Sequence, residues 1–335
     1  MDPLVIFLIV VIILMVFSIG SADETMSTLV GAGVVKMKKA LILGSVLAFF
    51  GLLFLSENVG ETVGANLLTD KVDYDVIMML AVILSTSIWI IVASRTGAPI
   101  STTHSVVGAV FGVGIVWYFS TPYSFIEGFN WLKISEVFLG WVISPLLGFI
   151  GAYLVQSLVK RINKRFTVGL RQIEKYEKTY GYLLMFAVSL TQLSRGGNDS
   201  ANAIGVFYGL LESGDLDPQL LPSLRLLGGV SLSLGLYFVG RHVIKSVGGD
   251  LISMRPSDAF AISAATSIVL FVSTLLGLPV SGGHILIFSI LGSGYVHGKR
   301  PDQRSFRKMV ASWFLTFPAA AGLSALCYVI LNLVF

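Results

Sequence analysis

Charge is the scarcest property of this sequence. Only 13% of its 335 residues are Asp, Glu, Lys or Arg, about half the share of a typical water-soluble domain, while 55% are hydrophobic. The missing charge corresponds to long apolar runs: Leu4–Gly20, Ala40–Leu55, Ile77–Ala93, Val137–Val155, Leu226–Val239, Ala259–Leu276 and Val310–Val334. Several approach the ~20 residues needed to cross a bilayer, and a soluble core would not repeat that length so often. Cysteine is nearly absent too. Cys327, the single one, lies in the last apolar run, which excludes a disulfide framework or a Cys-ligated metal and leaves a small packing residue. The first run follows only Asp2, with no basic flank and no small-x-small cleavage site. It therefore reads as a retained helix rather than a secretory signal. A net charge of +4 with its basic residues in loops points to membrane orientation and away from nucleic acid. No cofactor is expected.

What remains reads as an all-α polytopic membrane protein. Ten crossings can be drawn, at about 3–35, 38–56, 75–94, 99–119 and 134–157, then 181–212, 222–240, 257–277, 279–297 and 310–333. Loop charge supports the count. Lys36, Lys38 and Lys39, the segment from Lys160 to Lys178, and Lys299 to Lys308 are basic. Glu57, Glu61, Asp70, Asp73 and Asp75, and then Glu212, Asp215 and Asp217, make the alternate loops acidic. Basic loops stay cytoplasmic, so both termini are expected outside. Five crossings per half give the halves opposite orientation, an inverted repeat of the kind secondary transporters use. The expected division is residues 1–158, a basic cytoplasmic linker at 159–180, and residues 181–335.

The repeat is visible in residues as well as in hydropathy. Gly20-Ser21-Ala22-Asp23 and Pro99-Ile100-Ser101-Thr102-Thr103-His104 in the first half match Gly196-Gly197-Asn198-Asp199 and Pro279-Val280-Ser281-Gly282-Gly283-His284 in the second. The Asp-to-Ser separations are 78 and 82 residues, and each His is followed eight residues later by Gly-x-Gly, at Gly112/Gly114 and Gly292/Gly294. Three matched features in one order indicate duplication.

A helix over 3–35 would be about 50 Å long, against ~30 Å of hydrocarbon. Broken helices are therefore expected at Gly20–Asp23 and Gly196–Asp199, where freed backbone groups need a protein-lined or wet cavity. A carboxylate at mid-membrane costs about 2.5–3.5 kcal/mol, so Asp23 and Asp199 need a partner. Arg195 is the one basic residue near matching depth. A bound cation is the simpler expectation, held by Asp23, Asn198, Asp199 and Asn202, and oxygen-only ligands suit Na+; the alternative is that each Asp only caps a half-helix. The two Pro-x-Ser segments read as helix starts with Ser101 and Ser281 as caps. Such N-termini bind anions, with hydroxyl donors from Thr102 and Thr103 in one copy and close backbone approach at Gly282 and Gly283 in the other. His104 and His284 read as packed histidines with protonation as the alternative. Glu61 reads equally as a gate or a solvated residue, and Glu24 as a further intramembrane acid.

These residues resemble the PiT-type inorganic phosphate transporters. The family's repeated signature is Gly-Ala-Asn-Asp-x-Ala-Asn-Ala, and Gly196-Gly197-Asn198-Asp199-Ser200-Ala201-Asn202-Ala203 matches seven of its eight positions. The segment Gly240–Asp250 and both Pro-x-Ser-x-x-His segments are similar as well, so the resemblance covers nearly the whole chain. It implies a non-enzymatic, cation-coupled symporter of the plasma membrane that alternates access to a phosphate between Ser101 and Ser281, with Na+ the favoured coupling ion and H+ the alternative. Sulfate-carrying members are close relatives. The first copy departs from the pattern, with Ala22 and Met26 in place of asparagines and Glu24 added. In the second, Ser281-Gly282-Gly283 replaces the frequent Ser-Thr-Thr, and Ser263 stands where many members have an acid or amide. A homodimer is one assembly open to such a chain. Two distant alternatives also exist for the residues alone: an anion channel lined by helix N-termini, and an intramembrane aspartyl protease with Asp23 and Asp199 sharing a proton.

Overall fold

The computed structural model describes residues 3–57, 59, 67–97, 100–166, 169–212, 214, 216–250 and 254–335. Its helices are α1 (Pro3–Ser21), α2 (Ser27–Gly31), α3 (Met37–Leu55), α4 (Val76–Arg95), α5 (Thr102–Ser120), α6 (Trp131–Phe166), α7 (Leu170–Glu212), α8 (Leu221–Phe238), α9 (Arg241–Asp250), α10 (Pro256–Leu275), α11 (Gly282–Val296) and α12 (Gln303–Val334). Eight of the described helices are long and apolar enough to cross a membrane. The other two expected crossings coincide with α7 and with α11, a helix of 15 residues. This is a multi-pass, all-helical membrane protein.

Its polarity is inverted relative to a soluble fold. Phe54, Phe119 and Phe314 are 73–80% exposed, whereas Glu24 and Gln192 are 0% and Asn198 is 1% exposed. Lipid covers the outside at no hydrophobic cost, so apolar burial does not hold these helices together. Close backbone packing and polar contacts must do so.

The packing is reciprocal between the halves. α1 lies on α8 and α3 on α7; α5 lies on α12 and α6 on α11; α4 touches α1 and α12, as α10 touches α7 and α6. Exchanging the halves maps each pair onto another. The Gly-x-Gly motifs have a place in this scheme. A Cβ at Gly112 would lie under 3.0 Å from the Ala321 carbonyl oxygen on α12, and one at Gly292 under 3.0 Å from that of Phe149 on α6. The glycines let α5 and α11 approach the last helix of the opposite half.

The first expected break is present. α1 stops at Ser21, whose hydroxyl donates to Ser18 O (2.6 Å), and Asp23 Oδ1 accepts the Thr25 amide at 2.8 Å. The second is not. α7 runs unbroken through Gly196–Asp199 for 43 residues, about 65 Å. The two glycines serve packing instead: a Cβ at Gly196 would meet the Ala48 backbone, and one at Gly197 the Leu55 side chain at 2.6 Å. The excess length carries Arg171, Glu174, Lys175, Glu177 and Lys178 beyond the apolar part of the helix. The basic segment 159–180 is thus mostly the adjoining ends of α6 and α7, which stop at Phe166 and restart at Leu170. α9, over Arg241–Asp250, is a short separate helix packed on α2.

Gly112→Val and Gly292→Val are expected to destabilise the protein to a similar extent, by about 1–3 kcal/mol or more for overpacking. Thermal unfolding of the purified variants in one detergent checks this. A loss for one and none for the other would contradict reciprocal packing.

Candidate functional site

The centre of the site is Arg195, on α7 and 5% exposed. Its Nη1 and Nη2 donate to the two oxygens of Glu24, at 2.6 and 3.1 Å. Its Nε donates to Asp199 Oδ2 at 2.8 Å and lies 3.7 Å from Asp23 Oδ1. Asp23 and Glu24 come from the unwound segment between α1 and α2, while Arg195 and Asp199 lie one turn apart on α7. One guanidinium therefore joins the two halves. The sequence leads to the expectation of a bound cation at Asp23, Asn198, Asp199 and Asn202; the structure shows that a protein side chain, Arg195, also partners the two aspartates. Its reason is the i, i+4 spacing of Arg195 and Asp199 on an unbroken helix, which sets both on one face. Arg195 thus stands between the two carboxylates that the protease reading would have share a proton.

Gln192, one turn before Arg195, was not singled out by sequence reading. Its Nε2 donates to Asp23 Oδ2. The signal was available as the i, i+3, i+7 spacing of Gln192, Arg195 and Asp199. Asn198 turns elsewhere: Nδ2 donates to Leu278 O at 2.9 Å and Oδ1 accepts from the Val280 amide at 3.4 Å. It fixes the approach to α11. Asn202 Nδ2 donates to Asp199 O at 3.0 Å, and its Oδ1, like Gln192 Oε1 and Thr25 Oγ1, is buried with no partner. Among the described residues no three His, Cys, Asp or Glu side chains form a metal-type cluster; the carboxylates are gathered on the guanidinium instead.

Both expected helix starts are found. Ser101 Oγ accepts the His104 amide at 3.2 Å and Ser281 Oγ accepts the His284 amide at 3.4 Å. The first residues of α5 and α11 are buried and meet the charged centre. The Thr102 hydroxyl lies beside the Asp199 carboxylate, and a Cβ at Gly282 would lie 3.4 Å from the Arg195 guanidinium. Thr103, 1% exposed, has a hydroxyl without a partner. His104 and His284 touch edge to face, 4.8 Å between ring centroids. Each also lies against a tryptophan, Trp141 at 3.6 Å and Trp313 at 4.1 Å. Ser263 reaches Thr28 at 2.9 Å, behind the unwound segment. Glu61 lies outside the described residues.

A model of the phosphate transporter family matches residues 19–324. The chain belongs to that family. It is similar over its whole length to a protein of Thermococcus kodakarensis provisionally named a phosphate permease, at 29% identity and 99% of that protein's length. It also matches a provisionally named low-affinity inorganic phosphate transporter of Bacillus subtilis, at 26% identity over 93% of this chain and 92% of the relative. Among solved structures, a sodium-dependent phosphate transporter superposes with a TM-score of 0.85 at 24% identity, covering 100% of both chains. That match establishes the fold. The chain is thus a transporter by family.

Arg195→Gln would leave three buried carboxylates without their cation. Removing one partner of a buried pair costs about 3–5 kcal/mol, so the variant should melt far below wild type. Adding Glu24→Gln should restore part of the loss, since fewer charges are then stranded. Thermal unfolding of the two single variants and the double variant measures this. Additive losses would show that the pair is not coupled.

Proposed function

We propose that this chain is a cation-coupled symporter of inorganic phosphate in the plasma membrane, with Na+ the favoured coupling ion and alternating access the mode of transport. The observation that carries the reading is the meeting of two serine-capped helix N-termini, α5 and α11, at the buried Arg195. Helix N-termini carry unpaired amides and partial positive charge. A guanidinium matches the planar edge of a tetrahedral oxyanion. Ser101, Thr102 and Thr103 on one side, and Ser281 with the backbone of Gly282 and Gly283 on the other, line the place where phosphate is expected. The family and the names of its members support phosphate as cargo.

Coupling follows from charge. If Asp23, Glu24 and Asp199 are all ionised, one guanidinium leaves two negative charges without a partner in a region closed to water. An anion entering alone would add to that deficit, so cation and anion load together. The oxygen atoms on hand for Na+ are those of Asp23 and Asp199 and the unpartnered Asn202 Oδ1, with Asn198 holding the neighbouring backbone. The sodium-dependent structural neighbour supports this choice of ion. Phosphate can donate a hydrogen bond to a carboxylate and sulfate cannot, which favours phosphate at a site rich in acids. Basic loops in the cytoplasm place both termini outside, with the two reciprocally packed halves inverted.

Labelled phosphate should accumulate in proteoliposomes under an inward Na+ gradient and resist excess unlabelled sulfate. Displacement by sulfate, or accumulation under an H+ gradient alone, would replace substrate or ion. Thr103→Val should fold normally, because its hydroxyl bonds nothing in the resting protein. It should raise the phosphate KM about tenfold, the equivalent of one hydrogen bond of ~1.4 kcal/mol. An unchanged KM would place the anion elsewhere. For topology, a cysteine introduced at Lys39 into a Cys327→Ser background should react with impermeant maleimide only after the membrane is opened; one at Asp217 should react on intact cells.

A further inference from the structure

Glu24 is held on both its oxygens, and in the proposed transport cycle it contributes charge but binds neither ion. It is 0% exposed, and both its oxygens are engaged by the two terminal nitrogens of Arg195, a bidentate geometry that an oxyanion substrate would also adopt. Its position against α11 is equally specific. A Cβ on Gly283 would lie 2.5 Å from Glu24 Oε1, and one on Gly282 would lie 3.4 Å from the Arg195 guanidinium. The Glu24 carboxylate therefore fills the volume that a side chain at position 283 would occupy, and the guanidinium lies within contact distance of one at position 282. In the first half the equivalent positions are Thr102 and Thr103, and no acid lies on Thr103, whose hydroxyl is free. Internal carboxylates meet both N-termini, Asp199 beside Thr102 on α5 and Glu24 against Gly283 on α11, but only α5 keeps an unengaged hydroxyl, that of Thr103.

We propose that Glu24 is a built-in occupant of the oxyanion site, holding Arg195 and the glycine-only start of α11 until phosphate takes over both partners. The inference rests on the phosphate reading and concerns how that site is kept when empty. Asp199 engages only Nε of the guanidinium; Nη1 and Nη2 would be buried donors without a partner, and Glu24 satisfies both without closing the Ser101–Thr103 side. Phosphate then arrives at the α5 end, where the Thr103 hydroxyl is unengaged, and bridges to Arg195 as Glu24 withdraws. The exchange keeps an acceptor on Nη1 and Nη2 of Arg195 throughout. Glu24 acts as a specificity and affinity determinant: an anion must compete with a tethered carboxylate, which only a bidentate acceptor of comparable or higher charge does well.

The test is phosphate uptake at saturating Na+ by wild type, Glu24→Gln and Glu24→Asp, with KM and kcat separated and folding checked by thermal unfolding. Glu24→Gln removes the competing charge, and Glu24→Asp keeps the charge but draws it back from Arg195 by one methylene. The expected result is a KM at least threefold lower in both, with kcat unchanged or reduced. A lower KM in Glu24→Gln alone would mean simple charge repulsion and overturn the proposal, as would an unchanged or higher KM in both. If Glu24→Gln does not fold, Glu24→Asp carries the same decision. A wild type that takes up no phosphate removes the phosphate reading and this proposal with it; normal wild-type uptake with unmoved KM values removes the proposal alone.

Discussion

A single buried guanidinium organises this protein. Arg195 reaches three carboxylates, two from the unwound stretch after α1 and one from its own helix, and those contacts cross the boundary between the halves. In a membrane such an arrangement cannot be solvated away. Each group is held in place by the cost of leaving it unpaired, so the break after Ser21, the unbroken course of α7 and the glycine-only start of α11 all follow from seating this cluster. The outer surface contributes little specificity, because lipid accepts any apolar side chain.

The rest of the architecture brings four helix ends to the cluster. α5 and α11 approach from their capped N-termini, and each is allowed close to the last helix of the other half by glycines, Gly108 and Gly112 on α5 and Gly292 on α11 facing Gly148 on α6. Behind them, the stacked His104–Trp141 pair and the tilted His284–Trp313 pair lie side by side where the halves meet. Rigid N-termini around a charged centre suit binding of a compact anion. A soft, unwound segment carrying Asp23 and Glu24 suits movement of the groups that compensate it.

Much of this was legible in the sequence, and the failures have physical causes. Ser101 and Ser281 were readable as caps because Pro-x-Ser at the start of an apolar run leaves few other local solutions. The duplicated motifs led to the reciprocal packing of the halves. The break at Gly20–Asp23 was readable from length. The same argument failed at Gly196–Asp199 because the glycines of α7 answer to α3, a tertiary contact invisible to local pattern, and because the extra length runs out beyond the bilayer. Arg195 stands out in the sequence as the basic residue near matching depth, and its i, i+4 spacing to Asp199 already sets the two on one face; its contacts with Asp23 and Glu24 come only from the fold. Glu24 was read as an isolated extra acid. Its partners, Arg195 171 residues away and Gly283 in the other half, come together only in the fold.

The central claim is that α5, α11 and Arg195 form one oxyanion site. The most direct measurement is an experimental structure of the protein saturated with phosphate and Na+. The account predicts tetrahedral density between Ser101–Thr103 and Ser281–Gly283, in contact with Arg195, with Glu24 moved off the guanidinium. Phosphate bound at any other place, with Arg195 still held by Glu24 and both helix starts unoccupied, would contradict it.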